Sequence, residues 1–139
     1  MTNRKGDRTH RLAVTQADLE KLKGALRAAK TFLADRMYIE LLDEKLEEAQ
    51  VVSPEEVPAD QVEIHRTVSL TDLDRKEQVV YKLVFPNEAS YDNSISVLTP
   101  LGSALLGRRI GEVVEVHAPK RTRKLRIDEI MEGGRPIAA

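Results

Sequence analysis

Residues 51–70 read VVSPEEVPADQVEIHRTVSL, and the fold turns on a change of rhythm inside this stretch. Its segment SPEEVPAD carries Pro54 and Pro58 among acidic and small residues, which is turn and linker chemistry rather than a helix or a strand. Downstream, Val62, Ile64, Arg66, Val68 and Leu70 fall on every second position, the period of a strand with one buried face. Upstream the period is helical. Residues 53–61 are therefore expected to link a helical part, residues 12–52, to a β-rich part, residues 62–139.

Reading back from the prolines, apolar residues fall at Ile39, Leu42, Leu46 and Ala49, and before them at Leu19, Leu22, Leu26, Ala29 and Leu33. Steps alternating between three and four make a heptad seam in each run. Thr15 can N-cap the first helix, with Asp18 placed to favour the positive end of its dipole. Only Lys30 to Arg36 separates the runs, so the two helices, each of about 16 residues or ~24 Å at 1.5 Å per residue, fold back antiparallel. Phe32 and Leu33 belong either to the last helical turn or to the loop. Lys21, Lys23 and Arg27 make the first arm basic; Asp43, Glu44, Glu47 and Glu48 make the second acidic. Dimerisation through the seams is the alternative, disfavoured because a short connection gives the intramolecular pairing the higher effective concentration. A monomer is expected. Residues 1–11 offer little to bury and are expected to be a disordered tail, without the apolar core of a secretory signal.

Reading forward, Val79, Tyr81, Leu83 and Phe85 alternate again, and LTDLDRKE between the two runs predicts a hairpin turn. Further strands are expected at Ser94 to Leu98, Val113 to Ala118 and Thr122 to Ile130. One short helix, LGSALL, interrupts them, with Thr99 as N-cap, Pro100 at the first helical position and Gly107 closing it in the left-handed conformation.

The 139 residues include no cysteine, which removes disulfides and thiolate chemistry, and no stretch approaches the ~20 apolar residues of a membrane span. The cytoplasm is the expected location, with no membrane partner. A net charge of -1 gives no case for strong binding to free DNA or RNA. The basic run Lys120, Arg121, Arg123, Lys124 and Arg126 lacks interleaved aromatic rings, and reads as a solvated or protein-binding strand face. His10, His65 and His117, read as tail, strand and strand, share no metal-ligand spacing. No serine stands in a nucleophile elbow, and GRRIGE and MEGGRP read as turns. No catalytic residue, metal ligand or cofactor is expected. Asp35, an acid near the hairpin tip, gains interest only from what the tip reaches.

The segment ISVLTPLGSALLGRRIGEVVEV, Ile95 to Val116, resembles the C-terminal domain of the Gre-type transcript elongation and cleavage factors. The matching residues are Thr99, Pro100, Ala104, Leu105, Leu106, Gly107, Gly111 and Glu112. Upstream, AQVVSPEEVPADQVEIHRTVSL looks most like the Rnk-type regulators of nucleoside diphosphate kinase within that family. The resemblance covers about residues 15–132. It implies an α+β fold: a short antiparallel coiled-coil hairpin followed by an antiparallel β domain, similar to FK506-binding proteins, with one short helix.

It also implies an RNA polymerase partner, bound at the rim of the secondary channel, with Thr99, Pro100 and Leu101 at the contact and Asp35 at the tip. Transcription factors of this kind carry an association with DNA binding. Cleavage factors hold a catalytic Mg²⁺ with two tip acids three residues apart, because hard oxygen ligands must arrive together. Here Glu40, the next acid after Asp35, is five residues on. The expectation is a non-enzymatic regulator that competes with cleavage factors. The alternatives are a cleavage factor acting through Asp35 and a peptidyl-prolyl isomerase. The latter is opposed by five aromatic residues in all and no Trp to crowd a proline pocket.

Overall fold

The computed structural model describes residues 11–33, 36–90, 93–117, 120–132 and 135–136. Both seams become helices: α1 spans Gln16–Leu33 and α2 spans Met37–Glu47. Thr15 Oγ1 accepts the Asp18 amide at 3.2 Å, the N-cap its position predicts. Leu19, Leu22, Leu26 and Ala29 of α1 and Ile39, Leu42 and Leu46 of α2 are buried, so the pair packs as the heptads require. Each fully buried leucine or isoleucine of this seam contributes about 1.5–3 kcal/mol. The Lys30 ammonium bonds the Asp43 carboxylate across the arms, joining the basic arm to the acidic one.

The arms are unequal. α1 has 18 residues and α2 has 11, or ~27 and ~17 Å of helix, where two arms of about 16 were expected. Phe32 and Leu33 belong to α1, so the connection is shorter than the predicted Lys30–Arg36. Asp35 lies outside the described residues, as do residues 1–10 of the expected tail and the Gly133–Gly134 turn.

At the base of the hairpin two short strands, β1 (Ala13–Val14) and β2 (Gln50–Val51), pair in parallel. The following stretch, residues 53–61, is no loose connection. It holds a 3-10 turn over Pro54–Glu56, where the Ser53 amide and hydroxyl both donate to the Glu56 carboxylate, and ends on Gln61, which is fully buried.

The main sheet contains β3 (Thr67–Asp72), β4 (Glu77–Val84), β5 (Ser94–Ser96), β6 (Val113–His117), β7 (Thr122–Glu132) and β8 (Arg135–Pro136). Its order is β5-β4-β3-β7-β6, and β8 folds back on β7. β3 and β4 form the predicted hairpin, with Thr67 opposite Lys82 and Asp72 opposite Glu77. Most pairs are antiparallel, but β5 lies parallel to β4, a crossover the expected antiparallel sheet did not include. The register of β3 on β7 shifts between Ser69 and Leu70, and Asp128, skipped there, bonds Thr71 and Arg126.

The predicted strand start at Val62 moves to Thr67. Val62 and Ile64 are buried as their alternation requires, but the chain turns at Ile64–His65 before the strand begins. His65 has φ +76°, a left-handed conformation that breaks any ladder, and the Val62 amide bonds the Arg108 carbonyl instead. Period two here recorded burial, not a strand. The helix α3, Pro100–Leu105, packs on both edge strands, β5 and β6, and on α2. The hairpin seam and the inner face of the sheet share one hydrophobic cluster.

Candidate functional site

The two ends of α3 face different neighbours. At its N-terminus Thr99 is in the extended conformation of a cap, and its hydroxyl is used twice. Oγ1 accepts the Gly102 amide at 3.0 Å and donates to the Ser96 carbonyl at 2.7 Å. The hydroxyl is thus consumed by the turn itself, and an outside molecule would meet the Thr99 methyl and the Pro100 ring. Pro100 is exposed and Thr99 half-buried.

Leu101 departs from its predicted place at a contact surface: it is buried in the core cluster, because the first turn of α3 directs its apolar residue onto the sheet. Gly102 explains the tightness of this end. A Cβ there would sit 2.0 Å from the Ser96 carbonyl oxygen, so any side chain would push α3 off β5.

The C-terminal end of α3 is held by the hairpin. Lys45 of α2 donates through Nζ to the carbonyls of Ser103 at 2.8 Å and Leu106 at 2.6 Å. These carbonyls lie where a helix leaves acceptors unsatisfied and its dipole favours a cation. Burial, with the Arg108 guanidinium adding to it, pushes the Lys45 ammonium down to about 7, while Glu112 pulls the other way. Arg108 Nε in turn donates to Glu112 at 3.0 Å. Gly107, at φ +87°, closes the helix as its position predicted, and a Cβ there would press on Leu12 at 3.3 Å.

A second crosslink lies beside this one. The Gln61 side chain accepts the Ala13 amide at 3.0 Å and donates to the Ala13 carbonyl at 2.9 Å, imitating one rung of a sheet. Sequence reading missed Lys45, Gln61 and Gly102. Lys45 had a signal: it stands three residues after the seam residue Leu42, on the flank of the buried face. Gln61 had none, since Ala13 lies 48 positions away, and Gly102 is required by the Ser96 carbonyl that the turn before α3 brings against it.

The other candidates scatter. In the basic run Arg121 and Arg123 approach the buried Asp72 carboxylate at 3.6 and 3.5 Å, so part of that face is internal, whereas Lys120 and Lys124 are exposed. The Arg75 and Asp74 amides, with both guanidiniums, hold the Asp72 carboxyl below its ordinary range against its own burial. His65 sits in a turn rather than a strand, 2.8 Å from Glu88, and His117 bonds Thr122 at the edge of the sheet; His10 lies outside the described residues. Among the described residues, no group of three or more His, Asp or Glu is placed to hold a metal. Nor is any helix there long and apolar enough to cross a membrane.

Residues 57–132 match the family described as transcription elongation factor, GreA/GreB, C-terminal. Transcription elongation factor GreA of Chloroherpeton thalassium is 43% identical over 83 residues, covering 59% of this chain and 52% of that protein. GreA of Thermodesulfovibrio yellowstonii is 35% identical over 99 residues, covering 70% of this chain and 61% of that one. The matches thus span little more than half the length of these relatives. A solved structure, the prokaryotic transcription elongation factor GreA/GreB from Nitrosomonas europaea, superposes with a TM-score of 0.75 at 28% identity, covering 89% of this chain and all of that one.

These relatives correct one expectation. The chain was expected to be non-enzymatic, with a cleavage factor as the alternative, yet its relatives carry the name GreA, a factor that stimulates transcript hydrolysis although it has no catalytic activity of its own. A flat exclusion from hydrolytic chemistry does not stand. With the family match over its C-terminal part and the α+β fold shared along most of its length, this chain belongs to the GreA/GreB family of transcription elongation factors.

Proposed function

We propose that this chain regulates transcription by binding RNA polymerase in the cytoplasm, as a single chain, at the rim of the secondary channel. The Thr99–Pro100 end of α3 meets the enzyme, and the hairpin projects into the channel entrance, where it competes with cleavage factors for the same place. The observation that carries this reading is the mounting of the hairpin on α3 within a domain matched to the GreA/GreB family over residues 57–132.

The test uses stalled, backtracked polymerase complexes. The chain is added alone and then against a Gre-type cleavage factor. Dose-dependent loss of the cleavage that factor stimulates is the expected result. Release of shortened RNA by the chain alone, lost in Asp35→Ala, would replace competition with a cleavage-factor role. Absence of any binding would overturn the polymerase reading.

A further inference from the structure

Lys45 is an unusual residue to find at the junction of α2 with α3. Lys45 is half-buried, and a lysine ammonium is expensive to remove from water, so the part that is covered needs polar partners. Here the partners are two main-chain carbonyls from the last turn of a helix of only six residues. Six residues span ~9 Å, so whatever holds one end of α3 also fixes the other.

We infer that Lys45 is a positioning residue: its paired bonds to Ser103 and Leu106 set the direction of the hairpin relative to the Thr99–Pro100 end of α3. The assignment rests on the docking proposed above only for its effect on polymerase; the geometric role stands by itself. The apolar contact of α2 with α3 is non-directional and tolerates sliding, whereas two hydrogen bonds from one Nζ define a point. Other links at the base, Gln61 to Ala13 and β1 to β2, tie the chain flanking the helices. Lys45 ties the body of α2 itself, one residue before the buried seam residue Leu46. A hairpin free to swing would present its tip at the channel in only a fraction of molecules, and affinity falls by that fraction.

The chain contains no cysteine, so spin labels can be placed cleanly at Arg27→Cys, exposed on α1, and Glu115→Cys, exposed on β6. Pulsed electron-resonance distances are then compared for the parent, Lys45→Met and Lys45→Arg, with the thermal transition as the check of folding. The parent is expected to give one narrow distribution. Lys45→Met, which keeps the stem and loses the donors, should broaden or displace it, and Lys45→Arg should restore it. In the polymerase competition Lys45→Met should be roughly tenfold weaker, as when a tenth of the molecules hold the competent direction.

A folded Lys45→Met with the parental distribution overturns the inference. Should that variant fail to fold, Lys45→Gln, whose amide stops one bond short of the Nζ position and so loses the paired bonds, decides by the same criterion: a broadened distribution supports the role and an unchanged one refutes it. If the distances respond while the parent itself does not bind polymerase, the docking reading falls and the positioning role stands.

Discussion

The base and the far half of the hairpin are built on different principles. At the base, polar groups are paired: buried Gln61 with Ala13, half-buried Lys45 with Ser103 and Leu106, and β1 with β2. Farther out the arms share an apolar seam and an exposed ion pair between Lys30 and Asp43, and Phe32, Met37 and Leu41 are left largely exposed. Among the described residues, the ion pair found in the far half runs from one arm to the other. Buried hydrogen bonds are directional and costly to break, while a seam holds two helices together without aiming them. A rod of this kind is stiff at its mount and forgiving along its length.

The seam is the first place to break this comparison. Leu46→Asp, near the base, and Leu26→Asp, farther along, each bury a charge among leucines and should each cost about 4 kcal/mol, read as lost helicity and a lowered thermal transition. If only Leu46→Asp is costly, the outer seam contributes little and the arms are held by the base alone. Gln61→Leu comes next. It preserves volume but strands the Ala13 amide and carbonyl in the interior, and about 3 kcal/mol of lost stability is expected in chemical denaturation. A loss near zero would mean that water reaches Ala13.

The Lys45 contribution is read through pH. The folded chain releases this proton at about 7, whereas an unfolded lysine holds it to its ordinary value of 10.5. Between these values the unfolded state binds more protons, so stability should rise as pH is raised from about 7 to 9. The difference between the parent and Lys45→Met isolates that slope; equal slopes in the two would remove the buried ammonium from the account. The smallest effects belong to the outer half. Met37→Ser and Lys30→Ala should each change stability by no more than about 0.5 kcal/mol in thermal melts, because neither side chain leaves water. A larger loss from Met37→Ser would show that the exposed residues near the tip cover one another.

Much of this molecule was legible in local pattern. The seams at Leu19–Ala29 and Ile39–Leu46, the Thr15 and Thr99 caps, the closing Gly107 and the β3–β4 hairpin each depend on residues within a few positions of one another. Short-range sterics and hydrogen bonds act there before any tertiary contact forms. Where local pattern misled, burial without regular backbone was the reason: Val62 and Ile64 alternate like a strand, but the chain turns at Ile64–His65. Leu101, assigned to a contact surface, was claimed by the core for the same cause, since an apolar residue in a first helical turn follows the nearest apolar face.

The sequence by itself determined two helices, strands β3 to β7 in outline and one short capped helix, because period and capping are local and set by side-chain chemistry. Only the tertiary structure decided how these are joined. The parallel placement of β5 on β4, the Gln61–Ala13 rung across 48 positions and the Lys45 bond to Leu106 across 61 all depend on which distant backbone groups come within hydrogen-bonding reach. A residue carries no local mark of a partner that distant. Polar groups taken from water must nevertheless be satisfied, and Gln61 and Lys45 meet that requirement through bonds that fix the hairpin to its domain.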